Sequence, residues 1–374
     1  MKRVLVFASA SIALLCTAAG VELQNIEANA RMLLAAAREN AASGTTNLFP
    51  RTFVEGKVVF VDREDWCAGF FAGELWLLYE LTGKDEWLAA AREWTEPLEP
   101  ARNLSRTHDV GFILQTSFGN GLRLAGVDGY FDVLKDGAKA LASRYSPRHG
   151  LIKSWDKWDT SPYTFPVIVD NMMNLELLCM AGALPTAVAH AKSVDRRHFR
   201  ADGSVYHVLD YAADEPDIRG IYAGQGKSVD GAWARGQGWA VYGFTMMYRY
   251  SHDGVFLSRA VGMADWWLAH NRASDGVPPW DFADPFGPRD ASAAAVVAAG
   301  LAELDHYSPN RGYRAEAERI VSTLASDAYL AKEGECGGFL LKHSTGNAPA
   351  GHEIDVPLIY ADYYYLETLA RLAK

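Results

Sequence analysis

The sequence predicts an all-α fold, an (α/α)6 toroid or barrel built from six helical hairpins. Apolar residues recur with helical spacing through most of the chain, whereas strand-like alternation is scarce and short. The connections also alternate, because short turns join the two helices of a hairpin and long loops rich in Gly, Pro, Trp and Asp precede the next hairpin. An irregular helical bundle or a solenoid is the alternative arrangement.

Twelve helices account for most of the chain. We expect them at about residues 22–43, 66–82, 84–98, 109–126, 129–145, 170–182, 185–200, 232–252, 254–272, 288–306, 310–328 and 354–373. Long loops precede the even-numbered helices, at residues 44–65, 99–108, 146–169, 201–231, 273–287 and 329–353. Short strand hairpins are expected within these loops, for example around Gly203–Asp210.

Composition and charge restrict the class of protein. With 374 residues, of which 49% are hydrophobic and 22% charged, the chain is long enough for a large packed core. The formal net charge of −10 argues against a nucleic-acid-binding protein, because phosphate binding needs a basic face. We expect residues 21–374 to form one (α/α)6 domain, with no linker that would divide it.

Residues 1–20 are typical of a secretory signal peptide, so we expect export, to a bacterial periplasm. Two basic residues precede an apolar run and a small-residue segment, and the stretch is too short for a good membrane span. The surroundings of Cys16 match a lipid-attachment site only weakly, which does not favour lipidation. An odd number of cysteines would remain after cleavage, which argues against a disulfide framework: Cys67, Cys179 and Cys336. No CxxC, HExxH or His/Cys cluster is present, so no metal site is predicted.

The stretch Val167–Leu178 (VIVDNMMNLELL) places polar residues on an apolar helix face. Helical spacing puts Asp170 and Asn174 on the same stripe as Met173, Leu177 and Leu178. Asp is a favoured N-cap residue, and capping is the simplest interpretation of Asp170. A polar pair on a core-facing stripe costs free energy unless it is hydrogen-bonded or opens onto a cavity, which makes a cleft the competing interpretation.

All the even-numbered helices begin with polar or aromatic residues. Their predicted first residues are Asp65-Trp66, His108-Asp109, Asp170-Asn171, Trp233 to Gln237, Arg289-Asp290 and His352 to Asp355. If these helices form the inner ring of a toroid, all six N-termini point to one mouth, which the long aromatic loops surround. We interpret this mouth as a lined cleft rather than as six unrelated helix caps.

The residues at this mouth suit glycosidic chemistry. Asp109 and Asp170 are carboxylates that can act as acid and base or as nucleophile. If both face one cavity, each raises the pKa of the other and burial adds to the effect, so that one stays protonated near neutral pH. Tryptophans in the loops, Trp155 and Trp233 among them, are suited to stacking on sugar rings, although packing in the core is the alternative.

A histidine and an arginine extend the candidate site. His207 lies in a polar stretch before an inner helix, where a structural role is the alternative. Arg235, within WARGQGW, is suited to holding a carboxylate bidentately, and the alternative is a buried ion pair with one of the aspartates.

Five motifs occur in order along the chain: Trp66 to Trp76 (WCAGFFAGELW), His108–Phe112 (HDVGF), Asp170–Asn174 (DNMMN), Trp233–Trp239 (WARGQGW) and Asp362–Tyr364 (DYY). Together they resemble the unsaturated glucuronyl hydrolases, glycoside hydrolase family 88, from about residue 60 to the C-terminus. Each motif is modest alone, but five in this order are specific. The related rhamnogalacturonyl hydrolases share the fold and chemistry, and HDVGF with DNMMN favours family 88.

The resemblance implies an (α/α)6 barrel that hydrolyses lyase products carrying a 4,5-unsaturated uronic acid at the non-reducing end. It implies that Asp170 is the general acid/base, which protonates C4 of the vinyl ether and activates water to attack C5, and that Asp109 assists. No metal or other cofactor is implied. The expected substrate-binding residues are Trp66, His207, Gln225, Trp233, Arg235 and Trp155.

Other functions remain as alternatives. They are an unsaturated rhamnogalacturonyl hydrolase, another (α/α)6 glycosidase or a lyase, and, in a different class, a sugar-binding protein without turnover. The presence of both Asp109 and Asp170 argues against the binding protein. We expect glycosaminoglycan fragments as the source of substrate, with plant or algal uronides as the alternative, and a monomer or dimer that does not span a membrane.

Overall fold

The computed structural model describes residues 23–156 and 162–374 of the chain, and within them all twelve predicted helices are present. We number the helices in chain order. They are α1 (Leu23–Ala42), α2 (Ala68–Thr82), α3 (Asp85–Thr95), α4 (α-helical over Val110–Leu114, π-helical over Gln115–Gly119 and α-helical again over Asn120–Ala125), α5 (Tyr130–Ala142), α6 (Asn171–Met180), α7 (Leu184–Arg197), α8 (Ala234–Ser251), α9 (Gly254–His270), α10 (Ala291–Tyr307), α11 (Tyr313–Leu324) and α12 (Ile359–Leu372).

Short antiparallel strands lie in the long loops that lead into the even-numbered helices. They are β1 (Phe49–Val54), β2 (Lys57–Val61), β3 (Tyr145–Ser146), β4 (Leu151–Ile152), β5 (Phe165–Ile168), β6 (Val208–Tyr211), β7 (Ile218–Tyr222), β8 (Ser344–Asn347) and β9 (His352–Val356). They pair as β1–β2, β3–β4, β5–β6–β7 and β8–β9. The hairpin expected around Gly203–Asp210 therefore lies further along the chain, in β6 and β7.

The even-numbered helices form a closed inner ring. Each packs against the next one in chain order, and α12 packs back against α2. Their starts meet at one end, where Arg235 at the start of α8 pairs with Asp290 before α10. Their ends meet at the opposite end, where Arg123 near the end of α4 pairs with Glu80 of α2. The inner helices are therefore parallel, and the (α/α)6 barrel is confirmed.

The inner helices are nearly buried all round, which their composition allows. In α10 the run from Ala291 to Leu304 is completely buried, and it consists mainly of Ala, Val and Leu. Glycine lets neighbouring helices approach closely. A Cβ on Gly111 would lie 2.5 Å from Oδ1 of Asn174, and one on Gly243 would lie 2.5 Å from Cβ of Met172. The ring can therefore close around a dense apolar core.

Several predicted helix starts lie two to five residues too early, and two of these differences have a clear physical reason. Helix α2 begins at Ala68 rather than at Trp66, because Asp65 accepts a hydrogen bond from the Cys67 amide in a turn before the helix. Helix α12 begins at Ile359 rather than at 354. Glu353 and Asp355 have positive φ angles of 54° and 58°, which a helix excludes, and His352–Val356 forms β9 instead.

The predicted signal peptide, residues 1–20 with Cys16, lies outside the described residues. Within the described ranges, no helix has the length and apolar character that crossing a bilayer requires. The cysteines of those ranges, Cys67, Cys179 and Cys336, are all free thiols.

Candidate active site

Asp109 and Asp170 occupy the N-cap positions of α4 and α6, yet neither side chain caps its helix. Asp290, at the same position of α10, does act as a cap and accepts a hydrogen bond from the Ser292 amide. The capping interpretation of Asp170 is therefore wrong. Both carboxylates remain available at the mouth of the barrel, where the starts of the inner helices meet.

The Asp109 carboxyl is held by its two preceding residues. The Thr107 hydroxyl donates to Oδ2 at 2.5 Å, and Nε2 of the buried His108 lies 3.2 Å from Oδ1. Burial raises the pKa of Asp109, and the nearby Asp170 adds to this, although His108 and Thr107 oppose it. Asp109 is thus the carboxyl of the pair that binds its proton more tightly than usual.

The Asp170 carboxylate faces the imidazole of His207. Nε2 of His207 lies 3.4 Å from Oδ2 of Asp170. On the other side of the ring, Nδ1 accepts a hydrogen bond of 2.9 Å from the Gln225 amide. Because Nδ1 is an acceptor, a neutral His207 must carry its proton on Nε2, so the ring presents an N–H to Asp170.

Burial is the largest single influence on the pKa of Asp170 and would raise it. His207, His108 and Arg235 together outweigh burial, so the pKa of Asp170 is lowered. The expectation that each carboxylate raises the pKa of the other therefore holds for Asp109 and is wrong for Asp170. The two groups have environments that separate their pKa values, as acid/base pairs in active sites do.

Aromatic and cationic side chains connect this pair to the other side of the mouth. The rings of His207 and Trp233 stack with centroids 4.2 Å apart, and the Arg235 guanidinium lies 4.5 Å from the Trp233 ring. The same guanidinium lies 5.3 Å from Tyr360, whose ring is 4.7 Å from that of Trp66. Four predicted site residues thus form, together with Tyr360, one continuous and mostly buried cluster of packed side chains.

Comparison with known proteins assigns the family. No protein-family model matches the chain. It is 43% identical over 339 residues to the unsaturated glucuronyl hydrolase of Formosa agariphila, an alignment that covers 87% of this chain and 84% of that protein. The chain belongs to the unsaturated glucuronyl hydrolases. It is therefore a glycoside hydrolase.

Solved structures agree with this assignment. An unsaturated glucuronyl hydrolase specific for heparin superposes with a TM-score of 0.87 at 39% identity, covering 94% of this chain and 98% of that one. A mutant of the Streptococcus agalactiae enzyme, complexed with dGlcA-GalNAc6S, superposes with a TM-score of 0.76 at 25% identity, covering 95% and 93%.

Arg235 of this hydrolase is a buried ion-pair partner, as the alternative interpretation predicted. Its Nη1 donates to Asp290 at 2.9 Å and to the Thr345 carbonyl at 2.6 Å. Its Nη2 donates to the Gly346 carbonyl at 2.6 Å and to Oε1 of Gln225 at 3.0 Å. Both terminal nitrogens are thus engaged by the protein, and direct contact with a substrate stays a prediction.

Trp155 lies beside Asp109 and is not part of the cluster around Trp233 and Arg235. It forms a β-bridge with Thr107, the residue whose hydroxyl binds Asp109. Its ring meets that of Tyr163 edge-on at 5.3 Å, and Tyr163 in turn meets Tyr222. This aromatic row borders the mouth on the side of Asp109.

Asp281 is a residue of this region that the sequence analysis did not identify. Its buried carboxylate accepts hydrogen bonds from the amides of Lys227 at 2.9 Å, Ala232 at 3.1 Å and Ala283 at 2.8 Å. The loop 225–233, which carries both Gln225 and Trp233, is thereby wrapped around one anion. Glycines within that loop were the available signal, because a Cβ on Gly231 would lie 2.9 Å from the carboxylate.

Tyr360 and His108 were also missed as site residues. Tyr360 is fully buried between Trp66 and Arg235. It lies in the first turn of α12, whereas the helix predicted from residue 354 placed it further from the mouth. His108 was noted only as the neighbour of Asp109. In the described part of the chain, no three His, Cys, Asp or Glu side chains are grouped so that they could hold a metal ion.

Proposed function

We propose that this hydrolase removes the 4,5-unsaturated uronic acid from the non-reducing end of lyase-generated glycosaminoglycan oligosaccharides by hydrating the C4=C5 bond. The observation that carries the proposal is the arrangement of Asp170, which faces the N–H of His207 at 3.4 Å and interacts electrostatically with Asp109. One well-placed acid/base is what protonation of a vinyl ether requires, and this chemistry needs neither a metal nor a nucleotide.

Asp170 acts as the general acid and then as the general base. Its carboxyl proton is transferred to C4, and the positive charge that develops is shared between C5 and the ring oxygen. The resulting carboxylate takes a proton from water while the water oxygen bonds to C5, which completes hydration and restores the acid. The hemiketal at C5 then opens, and the leaving sugar is released when the C1 hemiacetal collapses.

The lowered pKa of Asp170 suits the second step, since an ionised carboxylate is the form that activates water. The first step requires the protonated form. A bound uronate brings its own carboxylate into the mouth and excludes water, and both changes raise the pKa of a neighbouring carboxyl. Substrate binding therefore favours protonation of Asp170 at the moment when the acid is needed.

The remaining predicted residues hold the sugar. Trp66, half-buried at the mouth, offers its ring surface to the C–H faces of the sugar, and the buried Trp233 supports the site by packing against His207 and Arg235. Gln225 is oriented by Arg235 through the hydrogen bond of 3.0 Å to its side-chain oxygen, which leaves its amide group for sugar hydroxyls. Arg235 acts mainly by holding Gln225 and Trp233, while Asp109 and Trp155 contact the sugar from the opposite side.

The relatives support glycosaminoglycan fragments as substrates. One relative is specific for heparin, and another was captured with the sulfated disaccharide dGlcA-GalNAc6S. We further propose that residues 1–20 direct export to a bacterial periplasm, where fragments released by polysaccharide lyases would be available.

Replacing Asp170 with Asn tests the proposal. The ultraviolet absorbance of an unsaturated chondroitin disaccharide should decay with the wild-type enzyme, and the rate should fall by about 10²- to 10⁴-fold in Asp170→Asn while the disaccharide still binds. Asp132→Asn, an exposed aspartate on α5, is the matched control and should retain full activity. Wild-type turnover in Asp170→Asn would refute the role of Asp170. A wild-type protein that binds without turnover would favour a sugar-binding protein.

A further inference from the structure

A second concave surface lies on the rim of the barrel, outside the candidate active site. It is formed where α9 ends and the loop to α10 begins, and its volume is about 330 Å³. We call it the rim pocket, and the residues that matter for its chemistry are His270, Arg272, Phe282, Pro285 and Arg289. Phe282 separates it from the active site, since its ring packs edge-on against Trp266 and Trp267 while the preceding Asp281 holds the active-site loop.

The charge of the rim pocket is opposite to that of the protein. Two arginines and a histidine line it, and none of its lining residues is acidic, although the whole chain has a net charge of −10. The acidic residues of the same loop are already bound, because Asp284 pairs with Lys227 at 3.0 Å and Asp275 accepts a hydrogen bond from Tyr329 at 2.8 Å. The pocket is therefore a local positive site on an acidic surface.

Its guanidinium groups have donors to spare. Arg272 is exposed and makes no hydrogen bond or ion pair with any residue that the structure describes. Arg289 uses only Nη1, which donates to the Val277 carbonyl at 2.9 Å. Most arginines near the barrel ends are paired with carboxylates, as Arg235 and Arg123 are. Unused planar donors on both arginines suit a bidentate oxyanion.

The surroundings are also suited to a sugar. Phe282 contributes an apolar face to the pocket, and Pro285 leads directly into Phe286, which is 99% exposed on a turn closed by a hydrogen bond from the Gly287 amide to the Asp284 carbonyl. An aromatic ring this exposed buries nothing in the folded chain. An aromatic ring in this position can pack on the apolar C–H face of a sugar whose anionic group the arginines hold.

We propose that the rim pocket binds a sulfate or carboxylate group of a glycosaminoglycan oligosaccharide, at a place separate from the bond that is hydrolysed. The choice of this glycan rests on the proposed function. Such a site would hold longer or sulfated fragments near the mouth and would compensate for the unfavourable net charge of the enzyme toward polyanionic chains.

The test uses saturated tetrasaccharides, which lack the reactive double bond. Isothermal titration calorimetry should detect saturable binding of a chondroitin sulfate tetrasaccharide to the wild-type enzyme, and Arg272→Ala should weaken this binding by about tenfold. Arg38→Ala is the matched control, because its exposed side chain is paired with Glu93 far from the pocket, and it should bind as the wild type does. A hyaluronan tetrasaccharide, which carries carboxylates but no sulfate, shows whether sulfate is needed. A neutral chitin tetrasaccharide shows whether the sugar alone is bound.

Equal affinity of Arg272→Ala and wild type, no saturable binding of either acidic tetrasaccharide, or equally tight binding of the neutral one would overturn the proposal. Arg272→Ala should keep the wild-type rate on an unsaturated disaccharide, and loss of that rate would also overturn it. The outcome is separable from that of the proposed function. Turnover without binding at the rim refutes only the rim pocket, whereas binding at the rim without turnover refutes only the proposed reaction.

Discussion

The proton on Nε2 of His207 is the residue-scale feature on which the proposed chemistry depends most. The Gln225 amide fixes the tautomer from one side of the ring, and on the other side Nε2 faces Oδ2 of Asp170 at 3.4 Å. Trp233 stacks on the same imidazole and prevents it from turning away. A backbone amide therefore influences, through the His207 ring, the pKa of the Asp170 carboxyl, which is the proposed acid/base.

Replacing His207 tests this relation. His207→Gln removes the group that lowers the pKa of Asp170, so that pKa should rise. If Asp170 must be protonated for the first step, the alkaline limb of the pH–rate profile moves to higher pH, and kcat falls as well. His306→Gln, at an exposed position on α10, should leave the profile unchanged. A limb that stays in place or moves to lower pH would contradict the account.

Single residues differ in how far the sequence could identify them. Asp109 and Asp170 were predicted as site residues because each directly precedes a helical pattern, so the barrel prediction alone brings them to one mouth. Asp281 could not be identified in this way. Its three hydrogen-bond donors come from residues 227, 232 and 283, and only the folded loop brings these amides around one carboxylate.

The loop 225–233 is the element on which the proposed substrate binding most depends. It carries Gln225 and Trp233, and within it the Asp281 carboxylate binds the amides of Lys227 and Ala232. The loop has no sheet or helix of its own. Its conformation is held by the Asp281 carboxylate and by Arg200, whose Nη2 donates to the carbonyls of Val229 and Gly231 at 2.7 Å each.

Asp281→Asn should disorder this loop. The side-chain NH2 of Asn would face a backbone N–H that donates to the carboxylate in the wild type. Each donor left unsatisfied in this way costs about 1–3 kcal/mol. KM for the unsaturated disaccharide should rise by about tenfold, with a smaller fall in kcat, because the loop carries two residues of the proposed sugar-binding site while Asp170 lies outside it. Asp132→Asn, at an exposed aspartate on α5, is the control. An unchanged KM in Asp281→Asn would show that the loop holds without the carboxylate.

A second pair of acidic residues joins the elements α2 and α12. Glu74 and Asp362 are completely buried, and Asp362 accepts hydrogen bonds from the amides of Leu340 and Leu341. Burial raises the pKa of Asp362 to about 8 and that of Glu74 well above its usual range, with Asp362 adding to the effect on Glu74. The pair therefore holds protons in the folded protein at pH values where the unfolded chain has released them.

This pair should make the enzyme less stable as the pH rises. A group with a raised pKa in the folded state contributes fully below its unfolded pKa of about 4, and the contribution is lost as the pH rises toward about 8. The isosteric change Glu74→Gln removes one titrating group, so the fall in melting temperature between pH 5 and 8 should become smaller than in wild type. Glu99→Gln, an exposed glutamate, should not alter the slope. An unchanged slope in Glu74→Gln would mean that the pair does not titrate in this range.

The helices, which follow from apolar periodicity, were predicted well. The strand hairpins, whose positions depend on the folded barrel, were not. The helices follow from apolar spacing that each segment carries by itself. Strand β9 does not follow from apolar spacing. It pairs with β8 and contains positive φ angles at Glu353 and Asp355, which no local sequence pattern indicates. The hairpins are held by the helix ends on which they lie, so their positions required the folded ring.

At the scale of the whole molecule, the two ends of the barrel have different tasks. The starts of the parallel inner helices meet at the mouth, where the helix dipoles favour negative groups such as Asp109, Asp170 and a bound uronate. At the opposite end, arginines lie among the helix C-termini and pair with glutamates, as Arg249 does with Glu176 and Glu303 and Arg371 does with Glu303 and Glu367. The arginines at this end thus balance the helix dipoles and stabilise the ring, whereas the mouth presents the carboxyl groups of Asp109 and Asp170.

The measurement that tests the central claim most directly compares two disaccharides that differ only in the C4=C5 bond of the uronic acid. The account predicts that the wild-type enzyme cleaves the unsaturated disaccharide, with loss of ultraviolet absorbance in step with release of the second sugar, and that the saturated one is not cleaved. Cleavage of both at similar rates would mean that the double bond takes no part in the reaction. That result would contradict hydration and make the enzyme a conventional glycosidase.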